Sequence, residues 1–600
     1  MSKSNAPTVG KYRALFSRYL KPHWRATLLL TILLVVSILL KLVNPIILGL
    51  IIDLVAGGNT GDTLMRYALL FLVIALTSEA IGIVQSYISA NLGLLTTNRL
   101  RADLALHCLT LDMDFHKQRT PGEMIERVDG DVGKLANFFS LFLVELLGNL
   151  LLALGILVVL FFIDWRVGLV LSLFMLGIFL AMARLRNVAV PHWEKARQAD
   201  AELYGLLEER LSGTEDVRAN GGVPYVMRRF YQVSRPVLRT WIKASAYGVS
   251  SFGILMVIFG LGWVASLAVG AYLNLLGQIS LGTVFVIFRY AQLLRNPIEA
   301  IQRQLQDLQQ AGASVVRIYD LLDMQSRLVD AGQTLLPSGR AYSVQFDQVS
   351  FGYQADPSTP DAQPDMVLRQ IDLSLPPEAV LGLLGRTGSG KTTLIRLLAR
   401  LYDPTQGVIR LEGKPLPELS LAGLRQGVGV VTQEIQLFDA SLRDNLTLFD
   451  PSISDERILQ ALEMLGLGGW YRGLPQGLEA KIQPNSGAAG AAAGLSAGEA
   501  QLLAFVRVFL RDPGLVILDE ASSRLDPATE RRLEKAIDQL LRGRTAIIIA
   551  HRLDTVQRAD TIMILDDGRQ IEFGTREALI QDASSHYSRL LKTGLQEALV

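Results

Sequence analysis

The chain has 600 residues, too many for one hydrophobic core, and half of them are apolar, with a positive mean hydropathy of +0.31. Its formal net charge of +1 excludes the basic excess that nucleic-acid binding requires. One cysteine, Cys108, excludes an intrachain disulfide and a thiolate metal cluster.

The first 30 residues are basic and then apolar, but the apolar stretch is too long for a signal peptide and no small-residue cleavage site follows promptly. An interfacial helix over roughly residues 10 to 22 leading into a membrane span is expected instead. Six apolar runs of about 20 residues or more follow, the length that crosses a bilayer. They lie near 26–53, 65–92, 137–163, 166–185, 247–273 and 280–300. A run such as NLLLALGILVVLFFI has no polar face, which argues against a core helix of a soluble protein. The connections after the first, third and fifth runs are short and poor in positive charge. Those after the second and fourth are long and charged. The amino terminus carries Lys3, Lys11, Arg13, Arg18, Lys21 and Arg25. Basic residues thus gather on one side, which the positive-inside rule makes cytoplasmic, and both termini fall there.

After Pro297 an amphipathic helix leads to a polar linker near 324–343. Short β-rich runs (VLGLLG, GVGVV, GLVILDE, TAIIIAH) then alternate with helical segments. The reading is an all-α, six-helix membrane domain over 1–323, followed by an α/β domain with a largely parallel sheet over 340–600.

Residues 380–394 read VLGLLGRTGSGKTTL: a strand, a GxxxxGKT loop and a helix. The loop comprises Gly385, Arg386, Thr387, Gly388, Ser389, Gly390, Lys391, Thr392 and Thr393. Its glycines let backbone N–H groups and a helix N-terminus wrap a phosphate. Lys391 would reach the β- and γ-phosphates of a nucleotide and Thr392 would ligate Mg²⁺. Residues 515–520 read LVILDE, a buried strand delivering Asp519 and Glu520 to its carboxyl end, where ligands bind in such sheets. Asp519 would hold Mg²⁺ through water and Glu520 would polarise the attacking water.

With these motifs placed, nearly the whole chain resembles the ATP-binding cassette (ABC) exporters, and within them a half-transporter of the multidrug and lipid exporter type. The resemblance implies ATP as cofactor with Mg²⁺, and an integral multi-pass protein of a bacterial cytoplasmic membrane with its ATP-binding domain in the cytoplasm. It implies that Tyr353, in VSFGYQ, stacks on adenine. It gives Gln433, in VVTQE, as a residue touching both Mg²⁺ and the attacking water. Asp526, in SSRLD, matches the loop after the acidic strand, and His551, in IIIAHRL, would hydrogen-bond the γ-phosphate. The family signature LSGGQ is LSAGE here, keeping Ser496 and Gly498, which would clamp the γ-phosphate held by the opposite subunit. Two nucleotides would lie between two such domains, so a second half-transporter is implied.

Ala497 adds a methyl where backbone should approach closely, and Glu499 adds negative charge. The preceding SGAAGAAAG lacks the expected acidic residue, and AQLLAFVRVF lacks most of the usual basic ones. A signature serves the partner's nucleotide, so the weakening would fall on the partner's site. This resembles heterodimeric exporters and favours a different partner chain over a homodimer tolerant of LSAGE.

The resemblance also places short coupling helices near 115–123 and 201–209. It implies alternating access: ATP binding favours an outward-facing cavity, and hydrolysis reopens it inward. Lys41, Glu79, Glu145 and Arg289 interrupt apolar runs. They mark either a polar substrate path, or else ion pairs between helices or proximity to the cytoplasmic interface. Pro45 and Pro297 are candidate helix kinks. The function implied is export of amphipathic molecules across the bilayer. An importer on the same fold, or a membrane ATP sensor that moves nothing, are the alternatives.

Overall fold

The computed structural model describes residues 10, 14–58, 61–337, 339–353, 365–432, 435–482, 497–519, 527–550 and 556–593. The chain divides into two compact units. One is Met1–Leu109 with Pro121–Met324; the other is Thr110–Thr120 with Gln325–Val600.

In the first unit, five helices are long and apolar enough to cross a membrane: Ser17–Ala56, Asp62–Thr110, Glu145–Ile163, Trp165–Ser212 and Val223–Leu275. This corrects the expectation of six. The run at 280–300 forms a 13-residue helix, Leu281–Leu293, and a second helix begins at Arg295. Thirteen residues rise only about 20 Å, short of the roughly 30 Å hydrocarbon core. Arg289 and Arg295 further lower its apolarity. Among the described residues the expected interfacial segment is helical at Gly10, Ala14 and Leu15. It continues as a π-helical turn, Phe16–Leu20, and a 3₁₀ turn, Lys21–His23, that contains Pro22 and leads into helix Trp24–Ala56. Tyr19 is buried and its hydroxyl donates to Asp103 Oδ2 at 2.9 Å, tying this segment to the second long helix.

The core of this unit brings Leu152, Ile156 and Leu160 against Leu171, Ile178, Phe259, Ile287 and Tyr290. Outward positions remain apolar: Leu28, Ile32, Leu72, Leu76, Phe162 and Leu173 are all largely exposed. Aqueous surfaces do not carry such a continuous apolar coat, whereas lipid requires it. Asp53, near the end of the first long helix, accepts from Gly282 N at 2.7 Å and from Ser280 Oγ at 2.5 Å. Its carboxylate thereby satisfies a free N–H at the start of Leu281–Leu293.

The expected coupling segment at 115–123 contains a short helix, Met113–Gln118, capped by Asp112 through Phe115 N at 3.2 Å. The one at 201–209 is the end of the 48-residue helix Trp165–Ser212. The separate short helix comes later, at Thr214–Ala219, because Gly213 ends the long one with φ −93° and ψ 24°.

The second unit contains twelve strands among the described residues: β1 Val344–Tyr353, β2 Asp365–Leu375, β3 Val380–Leu384, β4 Gln406–Leu411, β5 Lys414–Pro415, β6 Val428–Val431, β7 Ala440–Ser441, β8 Lys481–Ile482, β9 Leu515–Asp519, β10 Thr545–Ile549, β11 Thr561–Asp566 and β12 Arg569–Thr575. A six-stranded sheet runs β12-β11-β3-β10-β9-β6, parallel except for β12. A four-stranded sheet, β2-β1-β4-β5, is antiparallel. The larger sheet is buried on both faces. Leu381, Ile517, Ile547 and Met563 enter one core, while Val380, Val516, Ile548 and Ile562 enter the other. This is period-two alternation between two apolar layers, so the strands read as continuous hydrophobic runs.

Asp131 is a buried carboxylate of the first unit, with a side chain only 1% exposed. Arg317 clamps it with two N–H donors, one at 2.7 Å, and Ser314 Oγ donates at 3.0 Å. Burial alone would raise the carboxyl's pKa; hydrogen bonds from Arg317 and Ser314, with the charges of Arg317 and Lys134, outweigh it and hold it below its ordinary value. A depressed folded value means this stabilisation is present above the ordinary carboxylate range and lost as pH falls through the lowered one. Arg317→Ala leaves a buried carboxylate without its guanidinium and is expected to cost about 2 kcal/mol, discounted because Arg317 is partly exposed. A thermal melt in detergent at neutral pH reads this as a lowered midpoint. An unchanged midpoint would contradict the clamp.

Candidate active site

Strand β3 ends at Leu384, and the phosphate loop follows directly into helix Lys391–Leu398. Gly385 has φ +147° and Gly390 φ +101°. A Cβ at Gly385 would sit 2.2 Å from the Leu565 carbonyl oxygen. One at Gly390 would sit 2.6 Å from Leu368 Cδ2. No other residue type fits both the dihedral and the space. Arg386, Thr387 and Gly388 form the exposed crest, while Ser389 and Gly390 are buried behind it.

The Lys391 side chain is folded into this loop, donating to the Gly385 carbonyl at 2.5 Å and the Arg386 carbonyl at 2.8 Å. Ser389 Oγ is buried with no hydrogen-bond partner, an unsatisfied hydroxyl inside the loop. Glycine cradle, buried ammonium and orphan hydroxyl together make a donor set that suits phosphate. Thr392 is exposed on the first helical turn and Asp519 is half-buried at the end of β9. These oxygen donors suit Mg²⁺, which binds through a hydroxyl, a carboxylate and waters beside phosphate.

Parallel strands deliver the remaining residues to the same edge. β10 lies between β3 and β9, with Ile549 opposite Asp519, and β6 flanks β9 on its other side. β9 ends one residue before Glu520, β10 ends at Ile549 ahead of His551, and β6 ends at Val431 ahead of Gln433. Glu520, His551, Gln433, Asp526 and Ser496 lie outside the described residues. The strands that lead to Glu520, His551 and Gln433 all finish on one side of the sheet.

Tyr353 closes β1. Its hydroxyl is 3.1 Å from Thr393 Oγ1 and accepts from Arg396 at 3.2 Å, so the ring stands beside the loop's helix. Phe351 and Tyr402 meet it edge-on, with centroids 5.0 and 5.3 Å away. Lys117, from the short helix Met113–Gln118, places Nζ 4.0 Å from the ring centroid, a cation–π contact. Burial, with Tyr353 and Asp114 nearby, pushes the Tyr402 hydroxyl up to about 12. Sequence reasoning identified Tyr353 but not Lys117 or Arg396, whose placement depends on packing that no local pattern encodes.

The signature lies at the start of helix Ala497–Arg511, where Gly498 is buried in the first turn. The helix's Arg507 donates to the backbone carbonyls of Asn445 at 2.6 Å and Gln436 at 2.8 Å. Buried Asn445 in turn donates to Phe438 O at 2.9 Å and accepts from Phe438 N at 2.9 Å. The segment IQLFDASLRDNL is thereby fastened to the signature helix. Sequence reasoning noted few basic residues after LSAGE; Arg507 is a basic residue there with this structural role.

Gly385→Ala is expected to weaken nucleotide binding at least tenfold, because the added methyl collides with the Leu565 carbonyl. Equilibrium binding of a fluorescent ATP analogue measures this, with circular dichroism confirming the fold. Unchanged affinity in a folded variant would contradict the cradle.

Two family models match the chain: the ABC transporter transmembrane region over residues 27–298 and the ABC transporter model over residues 368–523. An ATP-dependent lipid A-core flippase of Alkalilimnicola ehrlichii is 30% identical over 98% of both chains. The uncharacterized ABC transporter ATP-binding protein YknV of Bacillus subtilis is 28% identical over 97% of this chain and 94% of its own. A bacterial Atm1-family ABC exporter solved with ATP bound shares the fold, with a TM-score of 0.76 over 97% of this chain and 98% of that one, at 22% identity. The chain belongs to the ABC transporter family, as a multi-pass integral membrane protein with a cytoplasmic ATP-binding domain.

Proposed function

We propose that this chain is one half of a dimeric exporter that uses ATP hydrolysis to move lipids or other amphipathic molecules out of the cytoplasmic leaflet. The observation that carries the reading is a phosphate-binding loop at the carboxyl edge of a parallel sheet, in the same chain as a lipid-facing helical unit. Likeness to a lipid A-core flippase along the whole chain supports an amphiphile as cargo. The membrane domain spans 1–323 and the ATP-binding domain 340–600.

Lys391 and the loop amides hold the β- and γ-phosphates, and Tyr353 carries the adenine. Bound Mg²⁺ would neutralise charge on the terminal phosphates. Thr392, Asp519 and Gln433 would hold it. Glu520 orients and polarises the attacking water, and His551 holds the γ-phosphate as the bond breaks. Asp526 belongs to the loop that follows the acidic strand, while Ser496 and Gly498 reach the partner's nucleotide. In the sequence, Ala497 replaces a glycine of the family signature and Glu499 replaces its glutamine. That supports a weakened signature and a partner chain that differs from this one.

Purified alone in lipid, the chain is expected to bind ATP yet turn it over at least tenfold more slowly than the complex with its partner. Steady-state phosphate release, beside Glu520→Gln, measures this. Robust turnover by the chain alone, abolished in Glu520→Gln, would overturn the heterodimer and establish a working homodimer. Turnover unaffected by Glu520→Gln would remove Glu520 from its role.

A further inference from the structure

The membrane unit contains a cavity of about 620 Å³, bordered by the first two long helices, helix Gly148–Ile163 and the junction of Leu281–Leu293 with Arg295–Leu322. Three of the charges that interrupt the apolar runs line it: Lys41, Glu79 and Arg289. Ion pairing between helices does not account for them. Among the described residues none of the three has an oppositely charged partner within 4.0 Å, and Arg289 donates to neutral Gln292 at 3.0 Å. Lys41 stands near the middle of the 33-residue helix Trp24–Ala56. An unpaired charge at the centre of a span costs about 3 kcal/mol on insertion scales, so it is retained for what it binds.

The acceptors are as informative as the cations. Asn44 Oδ1 is buried at this cavity with no hydrogen-bond donor. Pro45 and Pro297 also border it. Each proline lacks the N–H that would serve the carbonyl four residues earlier, here Lys41 and Leu293, both lining residues. Phe285 and Phe288 supply the apolar wall. The lining therefore combines two cations, one carboxylate and the undonated Asn44 Oδ1 against aromatic surface.

The geometry points to a binding site for an anionic, phosphate-bearing amphiphile. Lys41 and Arg289 hold the phosphate, Glu79 and Asn44 accept from hydroxyl donors beside it, and Phe285 and Phe288 contact the hydrocarbon. The net charge of these side chains is +1, which a phosphodiester neutralises. This assignment rests on the export reading above and names its cargo class.

The test uses the complex purified through this chain and placed in phosphatidylcholine nanodiscs, with tritiated dioctanoyl phosphatidylglycerol as probe and empty nanodiscs as blank. Saturable binding is expected, weakened at least tenfold by Lys41→Gln and by Arg289→Gln. Lys41→Arg should restore it, and an octyl trimethylammonium competitor should not displace it. Equal affinity in wild type and both Gln variants would overturn the site. So would displacement by the quaternary ammonium with binding that falls in Glu79→Gln, which marks a cation site instead. ATP turnover is measured on the same samples. Full Glu520-dependent turnover without Lys41- and Arg289-dependent probe binding sinks this site and leaves the pump. Intact probe binding without any turnover supports the site and sinks the pump.

Discussion

The nucleotide half depends on one close approach: the backbone at Gly385 passes so near the Leu565 carbonyl that a Cβ would lie 2.2 Å from it. That approach presses the phosphate loop against the edge of its own sheet. It also explains why the rest of the chemistry can assemble there. Parallel neighbours of β3 must end on the same side, so Asp519 and the approaches to Glu520, His551 and Gln433 share one edge. A larger residue at this point would move the cradle off that edge, and no rearrangement of the other motifs would compensate.

The two units obey opposite packing rules. The sheet unit hides both faces of its strands, so its apolar residues point inward. The helical unit leaves apolar residues outside, and Lys41, Glu79 and Arg289 border one cavity. Covalent continuity links them at a telling place. Thr110–Thr120 lies between two long helices of the membrane unit in sequence, yet it belongs to the compact unit of the sheet. Its Lys117 sits over Tyr353, and Arg327 N donates to Asp112 Oδ2 at 3.0 Å. This segment follows directly in the chain on helix Asp62–Thr110. Each nucleotide state biases the membrane helices only through such differential contacts.

Much of this was legible in the residues because it is local. Apolar length marked the long helices, and GRTGSGKTT marked the loop, since close backbone approach demands glycine at fixed offsets. The alternation of short apolar runs marked a parallel sheet. The antiparallel sheet β2-β1-β4-β5 was not legible, because the β1–β4 pairing at its centre joins segments more than 50 residues apart. The sixth apolar run misled on length: composition marked a span, but the helix breaks at Leu294 after 13 residues. The 201–209 segment misled differently, since only the backbone shows that the long helix continues to Gly213. Charges within apolar runs flagged a polar path or ion pairs. Three-dimensional placement was needed to bring Lys41, Glu79 and Arg289 around one cavity without pairing them.

The central claim is that ATP bound at Lys391 powers outward movement of an amphiphile. Inside-out vesicles from cells making the native complex test it most directly, using a fluorescent short-chain phospholipid supplied to the exposed cytoplasmic leaflet. ATP-dependent loss of the label from that leaflet, abolished by Lys391→Ala, is the predicted result. Movement that is indifferent to Lys391→Ala, or that runs toward the cytoplasmic leaflet, would contradict the account.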